Sequence, residues 1–214
     1  MTDLPSPAAV AAELLALGSA TLGESGAQPL LPRIRRAWLG AAVAGPAITA
    51  RCAPADNLAI HVAVARADAA GAVLVVDASD VPERGYWGEV LTTAAEVHGI
   101  VGLVIDGGVR DVAALEAHGF PVFASLVALP GAAKVAGGAV GLAVTVGGTS
   151  IAPGDWIVGD VDGVVAIAAA SLDAVLAAGR TRAANEQRLF AELRAGATTV
   201  ELLGLDPTKL DQEA

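Results

Sequence analysis

Three residue classes are scarce in this sequence: cysteine, aromatic residues and basic residues. One cysteine among 214 residues excludes an internal disulfide bond. Aromatic residues make up 3% of the chain, so neither an aromatic cage nor a base-stacking platform is expected. Thirteen Lys and Arg residues stand against 23 Asp and Glu residues, giving a formal net charge of −10. Because this acidic balance repels phosphate backbones and anionic membranes, we expect no nucleic-acid partner.

Long apolar runs are absent as well. The two most apolar stretches, residues 38–50 and 163–179, are short or are interrupted by Pro46 or Asp173. A membrane-spanning helix needs about 20 consecutive apolar residues. No charged segment followed by an apolar one opens the chain in the manner of a secretory signal peptide. We therefore expect no membrane partner and take the cytoplasm as the default location.

The chain nevertheless contains enough apolar residues to fold. Hydrophobic residues make up 54% and charged residues 17%, a composition outside the disordered range. With few aromatics, the core must consist of Ala, Val, Leu and Ile, which suit close layers of helix on sheet. No internal repeat or composition break divides the chain. We predict one domain over residues 1–205 and a C-terminal tail over residues 206–214.

Apolar patterning predicts alternating helices and strands. The predicted helices cover residues 5–17, 57–67, 88–98, 111–118 and 171–195, and the predicted strands cover residues 41–51, 71–77, 100–105 and 121–124. A β-rich segment with hairpin-like turns begins at residue 137. Asn57 and Ser171 are expected N-caps, and Gly18 and Gly196 are expected to end the first and last helices. Continuous apolar strands between helices indicate the α/β class, with helices layered on a central sheet.

The string IVGLVIDGGVRD carries the most informative pattern. A strand leads into a predicted glycine loop at Gly107 and Gly108, and Arg110 and Asp111 follow at a helix start. An arginine fork matches a carboxylate, Asp offers an oxygen ligand to a divalent cation, and the free N–H groups of a helix start bind anions. Such a site suits a 2-oxo acid, whose carbonyl a metal would polarise. The alternative is structural, with Asp106 in a turn, an Asp N-cap and a surface Arg, and spacing alone leaves both interpretations open.

A second string, YWGEVL, also enters a predicted helix. The backbone N–H groups of Gly88, Glu89, Val90 and Leu91 would hold a carboxylate, and the Glu89 side chain would exchange a proton with the substrate or hold a water. The alternative is that Glu89 is a first-turn residue that interacts with the helix dipole.

Together the two strings resemble the RraA-like family, which includes the 4-hydroxy-4-methyl-2-oxoglutarate/4-carboxy-4-hydroxy-2-oxoadipate (HMG/CHA) aldolases. The family pattern is an Asp or Gly, twenty further residues and then Arg-Asp, and here Glu89 precedes Arg110 and Asp111 with that spacing. The resemblance extends through Gly45-Pro46-Ala47, Asp56-Asn57-Leu58-Ala59, Gly119-Phe120-Pro121-Val122-Phe123, Pro153-Gly154-Asp155 and Asp160-Val161-Asp162-Gly163-Val164-Val165. Glu at position 89 departs from the pattern, and its longer side chain would shift the acid or the water that it orders.

The resemblance implies a β/β/α swivelling-type fold, assembled as trimers or as pairs of trimers with sites at subunit interfaces. It implies that Asp111 binds Mg²⁺ or Mn²⁺ directly, that Arg110 holds the substrate and stabilises an enolate, and that the amides of Gly88–Leu91 hold the pyruvyl carboxylate. Glu186 falls where the family has a Glu that reaches the metal through water from a neighbouring subunit. The alternative for Glu186 is an exposed Glu paired with nearby arginines. Glu24 is a further acid near the implied site.

The function that the resemblance implies is a metal-dependent lyase acting on small 2-oxo acids. The expected reactions are cleavage of a 4-hydroxy-2-oxo diacid to pyruvate and decarboxylation of oxaloacetate through the same enolate, with Arg110 and Glu89 as the catalytic residues. The alternative is a non-catalytic protein of the same fold that regulates ribonuclease E, whose acidic surface would mask a basic RNA-binding partner.

The histidines and the cysteine are expected to be structural. His61, His98 and His118 lack the paired spacing of metal ligands. His61 is expected to pack within a helix, and the other two lie near predicted helix ends. Cys52 follows an apolar strand and is expected to be a small buried side chain rather than a nucleophile.

Overall fold

The computed structural model describes residues 6–67 and 70–210 of the chain. Its α-helices are α1 (Pro7–Gly23), α2 (Leu58–Arg66), α3 (Glu89–Val97), α4 (Val112–His118), α5 (Leu172–Arg194) and α6 (Thr199–Leu202). Its strands are β1 (Gln28–Pro29), β2 (Arg35–Arg36), β3 (Val43–Cys52), β4 (Ala72–Asp77), β5 (Gly85–Trp87), β6 (Ile100–Val109), β7 (Val122–Val127), β8 (Gly138–Val140), β9 (Val144–Val146), β10 (Thr149–Ile151), β11 (Trp156–Gly159) and β12 (Val164–Ile167).

Most strands form one mixed sheet in the order β1-β12-β11-β3-β4-β6-β7-β2. Strands β3, β4, β6 and β7 are parallel, and β5 pairs in parallel with the end of β6. Antiparallel strands flank this parallel part on both sides. The parallel strands therefore end at one edge of the sheet, and the connections to α2, α3 and α4 begin there.

Three groups of buried side chains hold the layers together. Helices α2, α3 and α4 pack on one face of the parallel strands, with Ile60 and Leu115 fully buried. The β9–β10 hairpin covers the other face and buries Ile151. Helices α1 and α5 pack against β11 and β12 through Leu14 and Val175. This arrangement of hairpin, sheet and helices confirms the predicted α/β class. In the described part of the chain, no helix is both long and apolar enough to cross a membrane.

Strand β6 is longer than the sequence pattern indicates. It continues through Gly107 and Gly108 to Val109, so the predicted glycine loop is wrong. Close packing explains both glycines, because a Cβ at position 107 would lie 2.8 Å from Cβ of Ala78, and one at position 108 would lie 2.8 Å from Cβ of Ala128. The strand therefore carries the chain directly to residues 110 and 111.

Asp106 lies inside this strand rather than in a turn. Arg33 donates to its carboxylate from Nε at 3.1 Å and from Nη2 at 2.6 Å. The Gly147 amide donates to the same carboxylate at 3.0 Å. Asp106 is thus a buried structural residue that joins β6 to the loop before β2 and to the β9–β10 hairpin.

The ends of the first and last long helices agree only in part with the ends predicted from the sequence. Gly18, with φ 80° and ψ 155°, interrupts α1, but helical structure resumes and ends at Gly23. The predicted start at Pro5 lies outside the described residues. Helix α5 ends just before Gly196, as expected. The short helix α6 was not predicted, the predicted tail includes a 3₁₀ turn over Pro207–Lys209, and its residues 211–214 lie outside the described part.

The two expected N-caps are in place, but their side chains do not cap. Neither Asn57 nor Ser171 accepts a hydrogen bond from its own helix. Asn57 Nδ2 donates to the carbonyl of Tyr86 at 2.8 Å instead. Asp56 Oδ1 instead accepts a hydrogen bond from the Leu58 amide, the first amide of α2, at 2.8 Å. The role that the sequence pattern gave to Asn57 therefore belongs to the residue before it.

Candidate active site

A cleft of about 160 Å³ opens at the sheet edge where the parallel strands end. Its walls come from the connections β3–α2, β5–α3 and β6–α4 and from the loop after β7. The cleft brings together five residues of the predicted site, namely Gly88, Val90, Leu91, Arg110 and Asp111. Ligands of open α/β sheets bind outside the carboxyl ends of the strands. This cleft is therefore the candidate active site.

Arg110 is the first residue after β6. Its amide donates to the Trp87 carbonyl at 2.9 Å, which ties the end of β6 to β5. Its side chain is 46% exposed and passes close to Gly85, where a Cβ would lie 3.0 Å from Cδ of Arg110. The absence of a side chain at position 85 gives the guanidinium room to lie in the cleft.

Asp111 occupies the N-cap position of α4 in the left-handed conformation, with φ 57° and ψ 34°. Among the described non-glycine residues only Ala55 shares a positive φ. Such conformations cost energy, persist where the surrounding structure fixes them, and cluster at functional sites. The Asp111 side chain makes no capping hydrogen bond to α4. The carboxylate therefore does not cap α4, although the structural interpretation of Asp111 requires that it does.

Gly88 allows the start of α3 to approach the Asp111 carboxylate. A Cβ at position 88 would come closer than 3.0 Å to Asp111 Oδ2, a separation that real Cβ atoms essentially never show. The Glu89 amide donates to the same oxygen at 3.2 Å. Among the described residues, nothing accepts a hydrogen bond from the amides of Val90 and Leu91. These two amides are available to an anion at the start of α3.

The carboxylate of Glu89 contacts α4 rather than the cleft. Its Oε1 lies 3.7 Å from Nε2 of His118, the last residue of α4. His118 Nδ1 in turn lies 3.0 Å from Oε2 of Glu96, so the imidazole bridges two carboxylates of α3. Glu89 is not among the residues that line the cleft. In this conformation its backbone amide contributes to the site, and its side chain does not.

Among the cleft residues that the sequence patterns did not assign to the site are Asn57, His61 and Lys134. Asn57 Oδ1 and His61 Nε2 are buried and have no hydrogen-bond partner among the described residues. Because buried polar atoms are normally paired, this favours a polar ligand or water in the cleft. The four-residue spacing of Asn57 and His61 on one helix face was an available signal. Lys134 lies in a loop, where the sequence carried no pattern that pointed to the site.

Asp56 holds the loop that carries Lys134. Its Oδ2 accepts from the amides of Val135 at 2.5 Å and Ala136 at 2.8 Å, while Oδ1 accepts from Leu58. Burial alone would raise the pKa of Asp56, but these three backbone donors and the nearby Lys134 lower the pKa below its ordinary value. Asp56 is therefore ionised at neutral pH and fixes the loop against the start of α2.

Glu186 and Glu24 do not line the cleft of their own chain. Glu186 Oε1 lies 3.0 Å from Nε of Arg182, one turn earlier on α5. Glu24 forms a salt bridge with the same arginine. Glu186 thus makes the arginine contact expected of an exposed helical Glu, and its action in the site of a neighbouring subunit stays a prediction.

Asp111 suits a hydrated divalent cation. Within the described residues, no three His, Cys, Asp or Glu side chains cluster as metal ligands. Mg²⁺ keeps several waters and needs only one or two protein carboxylates, whereas Zn²⁺ takes three or four protein ligands. Asp111 is 44% exposed, and among the described residues only its Oδ2 accepts a hydrogen bond, from the Glu89 amide, which leaves Oδ1 available. These features fit an ion held by one carboxylate and water.

Cys52 is buried, as expected. Burial, with the nearby Asp56 and Asp77, raises the pKa of its thiol to about 12. A thiol with this pKa is not a nucleophile at neutral pH.

Comparison with known proteins gives the family. The model of the RraA-like family, described as Aldolase/RraA, matches residues 16–166, and the chain belongs to this family. The chain is 36% identical over 145 residues to a Halalkalibacterium halodurans protein named "Putative 4-hydroxy-4-methyl-2-oxoglutarate aldolase", a match that covers 68% of this chain and 69% of the relative. The family resemblance inferred from the motifs is confirmed.

Solved structures share the fold. An uncharacterized protein from Pseudomonas syringae pv. tomato superposes with a TM-score of 0.77 at 27% identity, covering 91% of this chain and 96% of that one. Streptomyces coelicolor RraAS2, described as an unusual member of the RNase ES inhibitor RraA protein family, superposes with a TM-score of 0.72 at 25% identity, covering 92% of this chain and all of that one.

Proposed function

We propose that this protein is a divalent-metal-dependent lyase acting on 2-oxo acids. Its reactions are the cleavage of 4-hydroxy-4-methyl-2-oxoglutarate or 4-carboxy-4-hydroxy-2-oxoadipate to pyruvate, and the decarboxylation of oxaloacetate through the same enolate. The observation that carries the proposal is the cleft itself, in which an arginine, a carboxylate that does not cap its own helix and two free helix-start amides converge. The aldolase name of the Halalkalibacterium relative supports the same reaction class.

Each group of the cleft has a distinct task in this reaction. The amides of Val90 and Leu91 bind the substrate's C1 carboxylate at the start of α3. Asp111, with water, would hold Mg²⁺ or Mn²⁺, and the bound ion would supply Lewis-acid polarisation of the 2-oxo group. Arg110 donates to the 2-oxo oxygen, where negative charge grows as the enolate forms, and therefore stabilises the transition state more than the substrate.

Lys134 suits the far end of a diacid substrate. Lys134 lines the cleft together with Arg110, and its Nζ donates to the Ala132 carbonyl of its own loop at 3.4 Å. The site can therefore offer two cations to a ligand that carries two carboxylates. The buried Asn57 Oδ1 between the start of α2 and the cleft can accept a hydrogen bond from a substrate hydroxyl. Two cations and a hydroxyl acceptor in one cleft favour a hydroxylated 2-oxo diacid as substrate over acids of the size of pyruvate.

A direct assay tests the proposal. The protein is incubated with Mg²⁺ and oxaloacetate, with HMG and with CHA, and pyruvate is measured with and without a chelator. We expect pyruvate formation that the chelator abolishes and added Mg²⁺ or Mn²⁺ restores. If all three substrates remain uncleaved in the presence of metal, the protein is not this lyase.

A regulator of ribonuclease activity is the second candidate. The structural match to Streptomyces coelicolor RraAS2, together with the net charge of −10, favours it. An acidic surface is complementary to a basic RNA-binding protein. A pull-down with purified ribonuclease E separates the two functions, because stoichiometric binding without turnover of any 2-oxo acid supports the regulator alone.

A further inference from the structure

We propose that His61 is the catalytic base that removes the proton of the substrate's 4-hydroxyl group in the cleavage reaction. The inference rests on the proposed lyase function and assigns one step of it to a residue. Retro-aldol cleavage cannot proceed until that hydroxyl loses its proton, so a proton acceptor must face the fourth carbon of the substrate.

The position of His61 suits this step. It lies on the cleft side of α2, and the cleft that it lines also contains Arg110 and Asp111. Its Nε2 is buried and, among the described residues, has no hydrogen-bond partner. An unpaired ring nitrogen on a residue that lines a binding cleft is available to a polar group of the substrate, as a general base requires.

The charges around His61 keep it ready to accept a proton. Burial lowers the pKa of His61 below its ordinary value, the nearby Lys134 lowers it further, and Asp56 opposes both. The other charged groups of the cleft are Arg110 and Asp111. At neutral pH the imidazole is therefore uncharged, with a ring nitrogen that can act as an acceptor.

The other acid-base candidate from the sequence does not occupy this position. The Glu89 carboxylate lies against His118 on α4 and does not line the cleft. The carboxylate of Asp111 accepts from the Glu89 amide and is assigned to the metal. Asn57 Oδ1 is also unpaired, but an amide oxygen is not basic, so His61 is the neutral cleft residue whose free acceptor can take a proton.

The proton and electrons of the step are fully assigned. The 4-hydroxyl proton moves to Nε2 of His61, the C3–C4 bond breaks, and C4 becomes the carbonyl carbon of the released fragment. The electron pair of the broken bond becomes the C2–C3 double bond of the pyruvate enolate. Water then protonates C3, and His61 returns its proton to water. Oxaloacetate has no 4-hydroxyl group, so its decarboxylation reaches the same enolate by loss of CO₂ and does not need this base.

This difference between the two substrates provides the test. Cleavage of HMG and decarboxylation of oxaloacetate are measured for wild type, His61→Gln and His61→Ala, all loaded with Mg²⁺. We expect kcat for HMG cleavage to fall about 100-fold or more, while kcat for oxaloacetate decarboxylation changes by less than about 3-fold. The low-pH limb of the HMG kcat profile, set by protonation of the base, should be lost in both variants.

Matched controls separate this role from a structural one. His98→Gln, at an exposed histidine at the end of α3, should leave both reactions unchanged. Thermal melting and calorimetric titration with oxalate, an analogue of the enolate, show whether the variants keep a folded cleft. Equal losses in both reactions, or no loss in HMG cleavage, would overturn the assignment of His61. A wild-type protein inactive toward every substrate would instead overturn the lyase function and this inference with it.

Discussion

Arg110 and Asp111 are neighbours in the sequence, yet their side chains lie in different surroundings. Asp111 presents a carboxylate beside Gly88, and Arg110 extends past Gly85 into the cleft. In the proposed reaction, the carboxylate holds the metal and the guanidinium stabilises the enolate. Replacing each residue separately should therefore disturb different measurements.

Asp111→Ala should abolish turnover and weaken metal binding together, because it removes the carboxylate that holds the ion. Arg110→Ala should retain metal binding but lose about 3 kcal/mol of transition-state stabilisation, seen mainly in kcat. Steady-state kinetics and calorimetric metal titration measure both effects, with Asp173→Ala on the exposed start of α5 as a control. If the two residues were only a helix cap and a surface pair, each substitution would cost about 1 kcal/mol of stability and leave kinetics unchanged.

At the scale of elements, the loop after β7 depends on one buried carboxylate. Asp56 accepts hydrogen bonds from two loop amides and from the start of α2. Backbone bonds add to this contact, since Ala133 and the segment 55–57 exchange two of them at 2.8 Å. The loop that positions Lys134 is therefore fixed by the turn before α2, through the Asp56 carboxylate and an isolated parallel β-bridge between Asp56 and Ala133.

Asp56→Asn should loosen this loop and change the acid stability of the fold. The pKa of Asp56 is lower in the folded than in the unfolded chain, so its ionised form stabilises the fold at pH values above about 4, its unfolded pKa. That contribution disappears as pH falls through the folded pKa. The variant should lose about 1–3 kcal/mol at neutral pH, and the difference in melting temperature from wild type should shrink on acidification.

Asp80→Asn, at an exposed residue, serves as the control for this comparison. The KM for diacid substrates should also rise in Asp56→Asn, because Lys134 loses its fixed position. A difference in melting temperature between Asp56→Asn and wild type that stays constant from pH 7 to pH 3 would contradict the assigned role of Asp56.

At the scale of the whole molecule, the second half of α5 extends beyond the core. The buried residues of α5 are Val175, Leu176 and Gly179, all in its first eight positions. Residues 180–194 continue the helix, with Phe190 exposed and Leu189 and Leu193 partly exposed. An exposed helix of this length with apolar side chains favours contact with another copy of the chain.

We predict that the protein is at least a trimer and that Glu186 completes the site of a neighbour through metal-bound water. Light scattering at micromolar concentration should give at least three times the chain mass of 21.1 kDa. Dilution to monomers should lower specific activity, and Glu186→Gln should reduce turnover of the assembled protein. A monomer in light scattering, or specific activity independent of dilution across dissociation, would contradict this arrangement.

The sequence by itself determined the class of fold and indicated which residues form the central part of the candidate site. Continuous apolar strands between helices are a local pattern, and they indicated the α/β class because strands covered on both faces need no polar residues. The positions of Arg110 and Asp111 followed from a strand that ends before a helix, and Gly88–Leu91 followed from a helix start. Each of these features lies within a dozen consecutive residues, where periodicity and turn chemistry are informative.

Only the tertiary structure decided which side chains share the cleft. It turned the Glu89 carboxylate towards His118, and it brought His61 and Lys134 into the cleft that Arg110 also lines. These residues belong to four different connections of the sheet and are far apart in sequence, so no local pattern relates them. Strand order and register place the connections at one edge, and long-range packing of helices on the sheet sets that register.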